Sequence, residues 1–307
     1  RDRSVSRGLG DVYKRQVYRN ARPVELARWK YHFENGSANE VLNCLSMYQN
    51  EDGGFAYALE PDNWNTNSTP VAVWDATRRL WEIGFKDSTH PMVQGILKYL
   101  DSGKDFADGK WFNTVTSNND YPHAIWWACD NAVGLAGDNP TVSLAGFVLR
   151  FSDKNSSLYQ KAKKIAAEAV ENFMDNPTDE MHTVRCFLDL LCYCEEMDDF
   201  DVFDLNAFRS KVYETVEKVV CKDPEKWYTE YVCKPSFFFE KNHKIFDMIE
   251  LELLEKEAYT MIEQQLEDGS YSITWQWWTD YKEFEISANW WKSSIIIDNM
   301  CYIKALL

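Results

Sequence analysis

Gln49–Asp62 reads QNEDGGFAYALEPD, and its first half returns near the C-terminal end as QLEDGSY, Gln265–Tyr271. Gln49, Glu51, Asp52, Gly53 and Phe55 align with Gln265, Glu267, Asp268, Gly269 and Tyr271. Asp-Gly makes a tight turn, because Asp accepts nearby backbone amides and Gly takes positive φ without a Cβ clash. A Gln ahead of the turn can reach carbonyls left open at a helix end. The aromatic after it can pack back between hairpins, so Phe55 and Tyr271 are expected to be buried. A degenerate third copy is DGKW, Asp108–Trp111. The Asp-Gly pairs at 52, 108 and 268 are separated by 56 and 160 residues, the second gap near three times the first. A period of about 50 residues is that of a helical-hairpin array.

The flanks read as helices. Pro23 opens Val24–Phe33, and Ser37 caps a helix from Ala38 to Tyr48 whose Val41, Leu42, Leu45 and Tyr48 form one face. Further helices are expected from Pro70 to Ile83, from Pro91 to Ser102, from His123 to Leu135 after Pro122, from Thr141 to Phe151, from Ser157 to Met174, from Thr178 to Met197, from Leu205 to Val220, from His243 to Leu266, and from Ser287 to the end. Asp105–Tyr121 reads as polar loop, Trp227–Val232 as a short extended piece, and SITWQWWTDYKEFEI as a loop or short hairpin. With no βαβ alternation, an all-α array of antiparallel hairpins follows. Ser152–Ser156 is the alternative place for a domain boundary.

The Q-x-x-D-G-G-F turn repeated between helices resembles the prenyltransferase and squalene-cyclase repeat. YRNARPVELARW, YQNEDGGFAYALEPD and SNNDYPHAIWW look like a poorly characterised bacterial branch of that superfamily. The resemblance implies an α/α toroid, a single domain over 17–307 with little or no β, and a central cavity for an isoprenoid-type ligand. It does not bring the chemistry with it. The D-x-D-D acid of the terpenoid cyclases is absent, as is a D-D-x-x-D diphosphate motif; Asp198-Asp199-Phe200-Asp201 has the wrong order and sits between helices.

The chain has 307 residues, 45% hydrophobic and 15% aromatic, enough for a sizeable core. Its net charge of −16 argues against nucleic acid and anionic membrane, both of which need a basic footprint. No apolar run reaches the roughly 18–20 residues of a membrane span. Eight cysteines scattered through helical patterns, with no secretory leader in view, read as reduced thiols in a cytoplasmic protein. RDRSVSRGLGDVYKRQ, residues 1–16, is basic and without apolar period; it resembles translated linker or adaptor sequence and is set aside from the fold.

Three places carry candidate chemistry. In TSNNDYPHAIWW, Asn118, Asn119, Asp120 and His123 gather amides, a carboxylate and an imidazole beside Trp126 and Trp127, with Asp120 a candidate base and His123 a candidate proton shuttle. Glu60 and Asp62 form an acidic pair next to Trp64. Glu285, Asn289, Trp290 and Trp291 form a third group with Trp275, Trp277, Trp278 and Asp280. Should the ring close, Glu60 and Asp62 would come near Asp280 and Glu285 across tryptophans, the layout of a glycoside hydrolase or lyase. Asp120, His123, Glu60 and Asn289 are then expected to share one cavity, and the ligand is a small molecule or an oligosaccharide. His182 and Cys186, one helical turn apart, could share a metal, but buried thiols are the better reading and no metal or other cofactor is assigned. Arg78 and Arg79 could meet an anion, although helix-surface ion pairs are commoner. The third reading is a binding protein that kept a fold and lost its chemistry.

Overall fold

A computed structural model describes residues 3–240 and 245–307, with side chains from Val12 onward. The chain is predominantly helical, 58%, with a small three-stranded sheet. No described helix is long and apolar enough to cross a membrane. The described residues fall into two compact units, one made of 3–47, 220–240 and 249–307, the other of 48–219 and 245–248.

The first unit contains α1 (Arg3–Asn20), α2 (Pro23–Phe33), α3 (Ala38–Ser46), a 3-10 turn (Pro235–Phe238), α11 (Leu251–Glu263) and α12 (Phe284–Leu306). Pro23 stands at the start of α2, and Ser37 with Glu40 closes a reciprocal capping box on α3. α12 packs on α1, α2 and α11. Arg28, 1% exposed, crosses from α2 to Ser294 and Asp298 of α12 at 3.0 and 2.7 Å.

The second unit contains α4 (Pro70–Glu82), α5 (Pro91–Asp101), β1 (Phe106–Ala107), β2 (Lys110–Thr114), β3 (Leu135–Ala136), α6 (Asp138–Phe151), α7 (Ser157–Asp175), α8 (Met181–Glu195), α9 (Leu205–Val219) and α10 (Ile245–Met248). The strands pair antiparallel in the order β1-β2-β3. α6 is apolar nearly all round, and such a helix has to be buried; it packs on α4, α7, α8 and β2. Ser152–Ser156 is the connection from α6 to α7 inside this unit.

The two QxxDG turns have one geometry. Gln49 Nε2 donates to the Gly53 carbonyl at 2.9 Å, and Gln265 Nε2 to the Gly269 carbonyl at 3.2 Å. Asp52 Oδ1 accepts the Gly54 N–H at 3.0 Å, and Asp268 Oδ1 the Ser270 N–H at 2.9 Å. Gly53 and Gly269 have φ of 93° and 86°. Each turn also presses on a helix backbone: a Cβ on Gly53 would lie 2.0 Å from the Gly95 carbonyl oxygen in α5, and one on Gly269 2.9 Å from the Val12 carbonyl oxygen in α1. Phe55 and Tyr271, 0% and 1% exposed, are buried.

Several expectations are corrected. DGKW is a β-hairpin loop: Asp108 and Gly109, at φ 51° and 79°, join β1 to β2, as a two-residue primed turn demands. That hairpin replaces the polar loop expected over Asp105–Tyr121 and adds a small sheet to an otherwise helical chain. Pro122 opens no helix to Leu135; extended backbone leads to one 3-10 turn at Ile125–Trp127. Tertiary partners satisfy that segment instead, with Ala124 N–H donating to Asp62 and the amides of Asn118 and Asn119 taking the carbonyls of Trp127 and Cys129. The helix expected to begin at His243, a residue outside those described, is two helices, α10 and α11, broken at Ile249-Glu250 where the chain passes from one unit to the other. No strand forms within Trp227–Val232, and of the two alternatives for the SITWQWW segment the structure has the loop. The segment set aside is also corrected in part. Tyr13 and Gln16 of α1 are buried, and the Tyr13 hydroxyl meets that of Tyr271 at 2.8 Å.

Candidate functional site

The second unit brings Glu60, Asp62, Trp64, His123 and Trp127 together through backbone pairing. Asn63 bridges His123 antiparallel, Trp64 N–H donates to the Pro122 carbonyl at 2.9 Å, and Ala124 N–H donates to the Asp62 carbonyl at 2.9 Å. Asn118 locks the pairing. Its Oδ1 accepts from Asn63 and Asn65 at 3.0 and 2.9 Å, and it is 1% exposed. The polar run that looked like a ligand-facing loop thus uses its asparagines as internal braces.

Glu60 follows a strained stretch of backbone. Tyr57 and Ala58 both lie in the left-handed region, at φ 59° and 56°. Each such non-glycine residue costs about 1–2 kcal/mol, and strain of this kind collects where geometry serves function. Behind it opens a cavity of about 10 Å³, close to the space of one water molecule. Glu60, Asn63, Asn65 and Thr69 line it with Ala56, Leu59 and Val71 among the apolar residues.

The electrostatics of this recess are one-sided. Burial first, then the carboxylates of Asp62 and Asp75, push the Glu60 carboxyl well above the usual carboxylate range. Its Oε2 accepts the Asp62 N–H at 3.0 Å. Asp75 on α4 is 8% exposed, and its Oδ2 is buried without a hydrogen-bond partner. So is Nε of Arg79, one turn along α4, whereas the Trp127 indole lies against Glu60 and partly offsets the rise in its pKa. Arg79 reaches Asp75 only at 3.4 Å and Glu82 at 3.8 Å. Buried donors and acceptors without partners are rare and call for a cause.

A second buried network fixes α4. Asp189 of α8 accepts the Trp74 indole N–H at 3.0 Å, the Ser143 hydroxyl of α6 at 2.9 Å and Arg185 Nε at 3.0 Å. The Arg78 guanidinium lies 5.4 Å from the Trp74 ring. Burial pushes the nearby His182 imidazole down, and the Cys186 thiol well up, so Cys186 is a protonated thiol donating to Asn139 Oδ1 at 3.7 Å. Among the described residues no group of three His, Cys, Asp or Glu side chains is placed to hold a metal ion.

The remaining candidates are placed as follows. Asp120 is exposed at the end of the 3-10 helix Thr116–Asp120. His123 is buried, with Nδ1 2.6 Å from the Tyr121 carbonyl oxygen. Asn119 and Trp126 are exposed, and Trp64 Nε1 donates to the Pro61 carbonyl at 3.2 Å. Glu285, Asn289, Trp290 and Trp291 belong to the first unit. There Glu285 and Asn289 are exposed, Trp290 stacks under Arg22 at 5.1 Å, and Trp291 packs edge-on to Trp275 at 5.4 Å. Asp75 and Asp189 were not singled out from sequence. Each is a carboxylate inside an otherwise apolar helical run, VAVWDA and CFLDLL, and that misplacement is the signal that finds them. Compared with known proteins, the chain has no significant match to a protein-family model, a curated protein sequence or a solved structure.

Proposed function

We propose that Glu60, beside a recess with room for one water molecule, is the acid of an acid–base site on a helical scaffold, acting on a neutral, hydroxyl-rich ligand of the carbohydrate class. The observation that carries this reading is a carboxyl group, pushed well above the usual carboxylate range, in a recess beside a second carboxyl group with an unpartnered oxygen, Asp75 Oδ2. A pair of carboxyl groups, one of them pushed toward the acid form, is what glycosidic cleavage needs. Glu60 donates its proton to the leaving oxygen as the bond to the sugar carbon breaks. Asp75 takes a proton from the water that attacks that carbon, and the proton passes back to Glu60 before the next cycle. Arg79 Nε, buried without a partner, supplies a donor for a ligand hydroxyl, and the Trp127 indole beside Glu60 orients the carboxyl.

The α/α toroid belongs to the same proposal. Two turns of one geometry, each set against a helix backbone, support a repeating hairpin array. An isoprenoid ligand is the second reading, and it rests on the resemblance of the Q-x-x-D-G turns. The test is turnover of a panel of neutral and acidic oligosaccharides, followed by product analysis, together with fluorescence titration by a prenyl diphosphate. Glu60→Gln and Asp75→Asn should each lower turnover about 10²- to 10⁴-fold with folding intact. Turnover unchanged in Glu60→Gln would sink the acid role. Saturable quenching by the prenyl compound alone would move the case to the isoprenoid.

A further inference from the structure

The first unit holds a pair of thiols that the Glu60 site does not use. Cys221 N–H donates to the Cys233 carbonyl at 2.8 Å. About 1.5 Å separates an amide nitrogen from its own Cα, and about 2.4 Å a carbonyl oxygen from its own. The two Cα atoms are therefore no more than about 6.7 Å apart, within the roughly 4.4–6.8 Å that a disulfide spans. Neither cysteine is bridged. The segment between them, 222–232, contains Trp227, which is fully buried and donates its indole N–H to the Cys221 carbonyl at 2.7 Å. Its two ends are thus held side by side by a backbone bond and a buried ring, with the entropic cost of bringing the thiols together already met by the fold.

The two thiols differ in access. Cys221 is partly exposed, with Sγ 3.7 Å from the Asp223 carbonyl oxygen, whereas Cys233 is 7% exposed. We propose that Cys221 and Cys233 form a dithiol modification site for low-molecular-weight disulfides. The Cys221 thiolate attacks one sulfur of the small disulfide and expels a thiolate, giving a mixed disulfide. The Cys233 thiolate then attacks Cys221 Sγ and expels the second thiolate. Two protein thiols are oxidised to one disulfide, the small disulfide is reduced to two thiols, and the two protons end on those leaving groups.

Closure would fix a loop that carries Tyr228 and leads directly into Lys234. Both flank Glu257, which is fully buried and accepts the N–H and hydroxyl of Ser236 at 2.7 and 2.6 Å. The Lys234 ammonium lies 4.7 Å from the Tyr228 ring centre, so oxidation would hold this buried group in its present arrangement.

The test exposes the full chain to graded ratios of oxidised to reduced glutathione, followed by differential alkylation and peptide mapping. The expected result is a Cys221–Cys233 cross-linked peptide, formed while the other six cysteines still alkylate, reversed by dithiothreitol and accompanied by a higher unfolding temperature. In Cys233→Ser, Cys221 should stop at the mixed disulfide with glutathione. The proposal is overturned if both thiols of the wild-type chain alkylate throughout the series. It is equally overturned if Cys221 stays glutathionylated with Cys233 still reactive, or if either cysteine pairs with a different one.

Discussion

At the residue scale the decisive group is Glu60. Its partly buried carboxyl is faced by Asp62 and Asp75, and burial with these two charges pushes it well above the usual carboxylate range. A folded-state pKa above the unfolded value near 4.5 means that this group favours folding most fully below that pH. Its contribution is lost as pH rises through the folded-state value, because the unfolded chain ionises first. Glu60→Gln is neutral at every pH and escapes that loss. The unfolding temperature of the variant minus that of the wild type should therefore grow as pH is raised from about 4.5. Thermal melts across a pH series check this, and a difference that stays flat or falls would mean that Glu60 ionises freely in the fold. Glu60 and Asp62 were legible in the sequence as an acidic pair beside Trp64. Asp75 was not, because a single carboxylate in a helical run declares its burial only once the helix is packed. The asparagines of the Thr116–Asp120 segment were misleading for the opposite reason. Amide side chains that satisfy a loop from within have the same composition as amides that greet a ligand.

At the scale of elements, the helices with clear punctuation were readable. Pro23, Pro70 and Pro91 at first positions and Ser37, Thr69 and Ser156 at caps carry local chemistry that survives in any tertiary setting. The helix expected over His123–Leu135 does not form because that backbone finds its partners in Asp62 and in two asparagine side chains, which no local pattern records. The third Asp-Gly was misread because one dipeptide serves two turns. At Gly53 and Gly269 the turn is pressed on a neighbouring helix, while a Cβ on Gly109 would meet nothing within 4 Å. Alanine at these sites separates the two kinds. Gly53→Ala and Gly269→Ala should each cost about 2–5 kcal/mol, from positive φ combined with overlap against backbone. Gly109→Ala should cost only about 1–2 kcal/mol, from positive φ alone. Denaturant unfolding of the three variants measures the order. Equal losses would mean that the Gly53 and Gly269 turns are not braced as described.

At the scale of the whole molecule, the feature hardest to read from sequence is that the first unit is discontinuous, drawing on 3–47, 220–240 and 249–307. A pass along the chain sees neighbours in order and takes the amphipathic run through Met248 and Leu254 as one helix, although the chain changes unit there. The same blindness applies to α1. Its sequence lacks the apolar period of a surface helix, yet Tyr13 is 2% exposed, Val17 is fully buried, and Gly269 packs on Val12. The aromatic at the end of the second turn, Tyr271, is thereby covered by a residue from the opposite end of the chain. A chain beginning at Val17 should lose that cover. Deleting a buried tyrosine typically costs about 3–5 kcal/mol, and the loss should fall within the unit that contains it. Hydrogen exchange makes the distinction. In the shortened chain, amides of α12 and of the Gln265–Tyr271 turn should exchange faster, while those of α6 and α8 keep their protection. Tyr13→Phe, which removes only the 2.8 Å hydroxyl contact, should cost about 1 kcal/mol. Unchanged protection in α12 and the turn of the shortened chain would show that residues 12–16 contribute nothing to the fold, and that the second turn is held by α12 and α11 alone.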